Sequence, residues 1–168
     1  MASKGKEVTA AANLKRFIES ALAESSLPAV EASETEPEYT GRVLLPLIQE
    51  LLSSKTNAPD VWVRGDGSKS RAYSQTFLGL NFHPDLAIGE GSTRYWCLEV
   101  KLVRGSISTD VLSKALGQAL TYKRVYPEVT IAIVSPGVGS RATQKSSEFH
   151  QFNSWLNVLV LRNFEASL

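Results

Sequence analysis

Between residues 7 and 25 the apolar positions Ala11, Leu14, Phe17, Ile18, Ala21 and Leu22 recur three and four apart, the spacing of one buried helical stripe. A second stripe over residues 38–52, through Val43, Leu44, Leu47, Ile48, Leu51 and Leu52, predicts another helix. Pro46 must kink it or sit where its missing N–H is tolerated. Residues 26–37 between them are polar and acidic and read as a linker. The pattern then changes period. Residues 61–63 predict a short strand, residues 65–70 a Gly/Ser-rich loop, and residues 77–88 and 93–103 the arms of a hairpin turned at residues 89–92. Residues 110–126 return to helical spacing through Val111, Leu112, Ala115, Leu116, Ala119 and Leu120, with Thr109 or Asp110 as cap and Pro127 as stop. The β-branched run at 129–134 predicts a strand buried on both faces. A turn at Pro136 and Gly137, a helix over 143–156 and a strand over 158–161 complete the chain. Strands alternating with helices imply an α/β fold, a mixed sheet covered by helices. The expected organisation is an N-terminal helical extension over residues 1–30 and one globular domain over 31–168, without internal repeats.

Composition narrows the class. The 168 residues are 43% apolar and 21% charged, the balance of an ordinary globular chain. No apolar run approaches the roughly 20 residues of a membrane helix. Two lysines near the start are followed by no apolar stretch, so no secretory leader is expected and the protein is expected inside the cell, in cytoplasm or nucleoid/nucleus. Cys97 is the one cysteine, which excludes an intrachain disulfide and a cysteine-based zinc cluster. The net charge of +1 is unevenly spread: −3 over residues 1–60, +4 over 61–168, with seven basic and two acidic residues between 101 and 145. Such a stretch either edges a solvated helix or neutralises phosphates. Lys114, Lys123 and Arg124 are its candidates for nucleic-acid contact.

The chemistry sits on the second hairpin arm. Strand alternation puts Tyr95, Cys97, Glu99 and Lys101 on one face and Trp96, Leu98, Val100 and Leu102 on the other. A carboxylate and an ammonium beside each other among large apolar residues need pairing or a metal, since an isolated buried charge is costly. Asp85 on the preceding arm adds a second carboxylate near the same place. Two carboxylates suit a hard cation such as Mg²⁺, with Mn²⁺ as substitute, and the chemistry this implies is phosphodiester hydrolysis. Lys101 would serve the attacking water or neutralise developing negative charge.

Pro84-Asp85, thirteen intervening residues, then Glu99-Val100-Lys101 resembles the signature of the PD-(D/E)xK nuclease superfamily, the restriction-endonuclease-like fold, in which the motif also crosses a β-hairpin. Gln118-Ala-Leu-Thr-Tyr122 is similar to the Gln-x-x-x-Tyr helix of one large branch. The helix that begins at Glu38 resembles the one that often supplies that superfamily with a further acidic residue. The likeness spans about residues 38–134. It implies an αβββαβ core and a metal-dependent nuclease, DNA favoured over RNA. By this likeness Asp85, Glu99, Glu38 and the Val100 carbonyl would hold Mg²⁺, Lys101 would serve the water, and Gln118 and Tyr122 would orient the site or contact phosphate. A chain this short has little material for reading a long site, so structure-selective or weakly specific cleavage is expected, with a homodimer as one arrangement. The alternatives are a catalytically silent module of the same fold that binds nucleic acid or protein, an RNA-cutting relative, which would want a histidine that the Glu38 helix lacks, and an unrelated α/β interaction domain, which would have no divalent-metal site.

Overall fold

The structure is a computed structural model and describes residues 3–55, 61–65, 75–77, 80–104, 107–136 and 148–163. Helix α1 (Ser3–Glu24) is followed by a short helix α2 (Glu36–Tyr39), which runs through one π-helical turn (Thr40–Leu44) into α3 (Leu45–Lys55). The π turn lies just before Pro46. Pro46 cannot donate to the carbonyl of residue 42, and the Leu45 N–H reaches back to Thr40 instead, one residue further than in an α-helix. The expected kink therefore takes the form of a π turn, and the stripe of Val43, Leu44 and Ile48 stays aimed at the core.

Strands β1 (Val61–Gly65), β4 (Leu86–Glu90), β5 (Thr93–Leu102), β6 (Glu128–Pro136), β7 (Glu148–Gln151) and β8 (Leu156–Asn163) form a mixed sheet in the order β1-β4-β5-β6-β8-β7. β5, β6 and β8 are parallel, and the remaining pairs are antiparallel. Helix α4 (Thr109–Tyr122) makes the β5–β6 crossover that a parallel pair requires. Its cap is Ser108, whose side chain accepts from the Val111 N–H, and not Thr109 or Asp110. A separate ribbon pairs β2 (Gln75–Phe77) with β3 (Leu80–Phe82).

Each sheet face has its own core. On one, Ile18 and Leu22 of α1 and Leu44, Ile48 and Leu52 of the second helical segment pack on Leu86, Ile88, Trp96, Leu98 and Val100. Burying side chains of this size is worth about 1.5–3 kcal/mol each, so α1 is a layer of the core. On the other face, Ala115, Ala119 and Tyr122 of α4 cover Ala87, Cys97, Ile131 and Ile133.

The strands depart from expectation in three places. The first hairpin arm is broken, because Phe82 ends β3 and β4 begins only at Leu86. The tight turn is at Gly91 and Ser92, with Gly91 at φ 54°. At a register shift between Ile88 and Gly89 the ladder steps from Trp96 to Arg94, and Tyr95 packs with the α1-side core instead of following Cys97. The helix expected over 143–156 is overturned where it is described: residues 148–151 form strand β7, antiparallel to β8. Residues 143–147 lie outside the described residues, as do 66–70 of the expected loop.

Candidate functional site

The β4–β5 ladder has Leu86 opposite Leu98 and Ala87 opposite Cys97, which sets Asp85 across from Glu99 on the α4 face. Pro84 is buried and Asp85 immediately precedes the first ladder residue, so the Asp85 carboxylate takes the place that a backbone acceptor would fill. Its Oδ2 accepts the Val100 N–H at 2.7 Å. In an antiparallel ladder the amide and carbonyl of one residue face the same neighbour, so the Val100 carbonyl also faces the Asp85 side of β5.

Glu99 is 1% exposed, and both of its oxygens are engaged. Lys101 Nζ donates to Oε1 at 2.7 Å, and the Tyr122 hydroxyl lies 3.0 Å from Oε2. The same hydroxyl lies 2.8 Å from the His83 carbonyl, so its single proton serves two acceptors and ties α4 to β5 and to the segment that leads into β4. Lys101 also donates to Glu36 Oε2 at 3.1 Å, and the Leu102 N–H reaches Glu36 Oε1 at 3.4 Å. Two carboxylates thus bond one ammonium, with Asp85 close enough to feel its charge.

Electrostatics follow from that excess. Burial, then the charge of Glu99, pushes the Asp85 carboxyl up to about 7 against the pull of the Val100 N–H and Lys101. Burial likewise raises Glu99, although Lys101 and Tyr122 oppose it. Burial alone would lower the Lys101 ammonium, but the charges and hydrogen bonds of Glu99 and Glu36 outweigh it and raise it. Burial and the Glu99 charge raise Tyr122. Burial, Glu99 and Asp85 raise the Cys97 thiol beneath the site, which makes it a packed residue and no nucleophile.

Asp85, Glu99, Lys101 and Tyr122 therefore come together as the sequence suggests, with the Val100 backbone between the strands. Glu38 does not join them. Its Oε2 accepts from the Thr35 N–H at 2.8 Å and the Thr35 hydroxyl at 2.7 Å, so it serves the N-terminus of α2 as a cap. Those bonds, the backbone one foremost, hold its carboxyl below the usual range. The helix acid that reaches the site is Glu36. The sequence carried a signal for this: Thr35-x-x-Glu38 is a capping-box spacing, which assigns Glu38 locally and leaves Glu36 to face the strand end. The segment is held by Arg42, bidentate to Glu34 at 2.7 Å on each oxygen, and by Arg104 on the Glu34 carbonyl at 2.5 Å.

Gln118 is half-buried on α4 one turn before Tyr122, and none of the site's hydrogen bonds involves it. Lys114 is exposed on α4 and Arg124 is exposed just beyond it. Lys123 is turned elsewhere. It donates to the Pro127 carbonyl at 2.5 Å and sits 5.2 Å from the centre of the Trp155 ring, near the start of β6 and away from Lys101. Among the described residues, no group of three or more His, Cys, Asp or Glu side chains forms a ready metal cage. The oxygen donors beside one another are the Asp85–Glu99 pair and the Val100 carbonyl.

No family model matches the chain, and no curated protein matches it. Among solved structures, a chain in the refined half-complex from the tetradecameric assembly of Thermococcus gammatolerans McrB AAA+ hexamers with bound McrC aligns at 17% identity and a TM-score of 0.36. The alignment covers 73% of this chain and 28% of that one, so this chain spans under a third of that neighbour's length.

Proposed function

We propose that the chain is a divalent-metal-dependent nuclease with a restriction-endonuclease-like core, hydrolysing phosphodiester bonds in DNA in preference to RNA. The observation that carries the reading is Asp85, one residue before the Leu86–Leu98 pair and bonded to the Val100 N–H, set beside Glu99, with the Lys101 ammonium 2.7 Å from Glu99. The donor set fits a hard cation. It is all oxygen, it holds more negative charge than Lys101 neutralises, and no described residue donates to Asp85 Oδ1.

In this reading Asp85, Glu99 and the Val100 carbonyl would hold Mg²⁺ or Mn²⁺. Such an ion, when bound, polarises a phosphoryl oxygen and acidifies water. The chain's own residues supply the rest. Lys101, kept protonated by its two carboxylates, offers N–H donors and positive charge where negative charge develops. Tyr122 fixes the Glu99 carboxylate, and Glu36 fixes the Lys101 ammonium. Lys114 and Arg124 line the α4 side as candidates for strand contact, and a homodimer would extend that surface.

A silent nucleic-acid or protein-binding module is the second reading, favoured by the engagement of both Glu99 oxygens. Incubation of labelled single-stranded, duplex and branched DNA and of RNA with Mg²⁺, Mn²⁺ or EDTA separates the two. The nuclease reading expects metal-dependent products that are lost in Asp85→Asn and Lys101→Ala. Salt-sensitive binding without turnover in any metal selects the silent module.

A further inference from the structure

On the opposite face of the sheet, and at the opposite end of its parallel strands, a second group of polar side chains lies buried under α1. Lys15, Glu19, Glu128, Thr130 and Asn157 are each at most 6% exposed. Lys15 donates to Glu128 at 2.7 Å. Glu19 accepts from the Thr130 hydroxyl at 2.5 Å and from the Asn157 amide at 2.7 Å, and Trp96 Nε1 donates to Thr130 at 2.8 Å. Glu19 and Thr130 spend their capacity inside this network. Lys15, Glu128 and Asn157 do not.

These three line a cleft of about 300 Å³ between α1 and the β8–β7 edge, with Phe149, Arg16 and Gln151 at its walls and mouth. Among the described residues, Lys15 makes one hydrogen bond of the three it can donate, Glu128 Oε1 accepts none, and Asn157 Oδ1 accepts none. Two acceptor oxygens and an ammonium with donors to spare thus line one solvent-accessible cleft, the kind of polar lining that orients a bound ligand. Phe149 and Gln151 oppose Leu159 and Asn157 across the β7–β8 ladder and share their face, so the half-exposed Phe149 ring flanks the polar floor.

The set offers two acceptors and one donor beside an aromatic wall. A flat ring whose edge carries two N–H donors and one carbonyl acceptor answers it. Guanine has that edge, adenine and cytosine do not, and a carboxylate is the group suited to a paired N–H edge. Arg16, exposed at the mouth, is positioned to meet a phosphate. We propose that this cleft is a second ligand site that takes a guanine base, carried by a free nucleotide or by a strand. The proposal is independent of the nuclease reading, because it shares no residue with the Asp85–Glu99 site.

Calorimetric titration of the full chain with guanosine, guanosine monophosphate, adenosine, cytidine, and oligo-dG and oligo-dT strands tests it. The proposal expects saturable binding of a guanine probe that adenosine and cytidine do not displace. Phe149→Ala should weaken it by about tenfold or more, the loss of one base-stacking contact. The thermal midpoint should not move, since Phe149 is half-exposed. Glu128→Gln, similar in volume, should reduce the preference for guanine. Tighter binding of the monophosphate, lost in Arg16→Ala, identifies a nucleotide, and binding of oligo-dG alone identifies a strand. Absence of saturable binding for every guanine probe, or binding equal in wild type and Phe149→Ala, overturns the proposal.

Discussion

Two buried polar groups sit on opposite faces of one sheet, and they differ in how their charges are answered. Under α1, Glu19 is met by the neutral donors Thr130 and Asn157, and Glu128 by Lys15. Those partners belong to α1, β6 and β8, so the group fixes the helix to the sheet in one register. Over β4 and β5, two carboxylates bond Lys101, and the third, Asp85, is met by a single backbone N–H. The excess lies at a strand end, where Lys101 keeps 13% of its side chain exposed. Burial of charge thus takes two forms in one molecule, a group that fastens α1 to the sheet and a group whose carboxylates outnumber its cations.

The largest test of that contrast is loss of chemistry without loss of fold. Lys101→Ala or Asp85→Asn should lower cleavage by about 10³-fold while far-ultraviolet circular dichroism stays unchanged; cleavage near the wild-type rate in either would remove the reactive centre. Thr130→Val should do the converse. It leaves Glu19 and the Trp96 N–H short of a partner, so stability should fall by about 2–4 kcal/mol in urea titration, with cleavage per folded molecule retained.

Acidity separates the groups further. The Asp85 carboxyl is raised to about 7, so between its unfolded value and 7 the folded state holds more protons than the unfolded state. Stability of the metal-free protein should therefore be greatest at the acid side of that window and fall as pH rises through about 7. Raised Glu99 and Glu19 act with the same sign. Chemical denaturation at pH 5 and pH 8 should differ by roughly 1–3 kcal/mol, and Asp85→Asn should shrink the difference. The smallest effects separate Glu36 from Glu38. Glu36→Gln should slow cleavage by about tenfold through a loosened Lys101, whereas Glu38→Gln should cost about 0.5–1 kcal/mol of stability and leave the rate alone. Equal rates in the two variants would return the helix acid to an open question.

Much of this was legible from spacing. The stripe through Ile18 and Leu22, the alternation of Cys97, Glu99 and Lys101 against Leu98 and Val100, and the i, i+4 placement of Gln118 and Tyr122 are local periods, and periods survive folding. What escaped depends on distant partners. Strand β7 has no strong period of its own and exists because β8 pairs with it. Lys15 and Glu19 sit beside an apolar stripe and look solvent-facing until Glu128, Thr130 and Asn157, more than 100 residues away, are brought beneath them. The Tyr95 slip follows from a bulge that no propensity marks. Glu36 was within reach, since the capping-box spacing already claimed Glu38.

In the proposed function the Asp85–Glu99 pair is a divalent-cation site. Calorimetric titration of Mn²⁺ into wild-type protein and Asp85→Asn at pH 7.5 tests it most directly. The wild type should show a saturable site that disappears in the variant. Mn²⁺ heats that are absent in the wild type, or identical in both proteins, would contradict it.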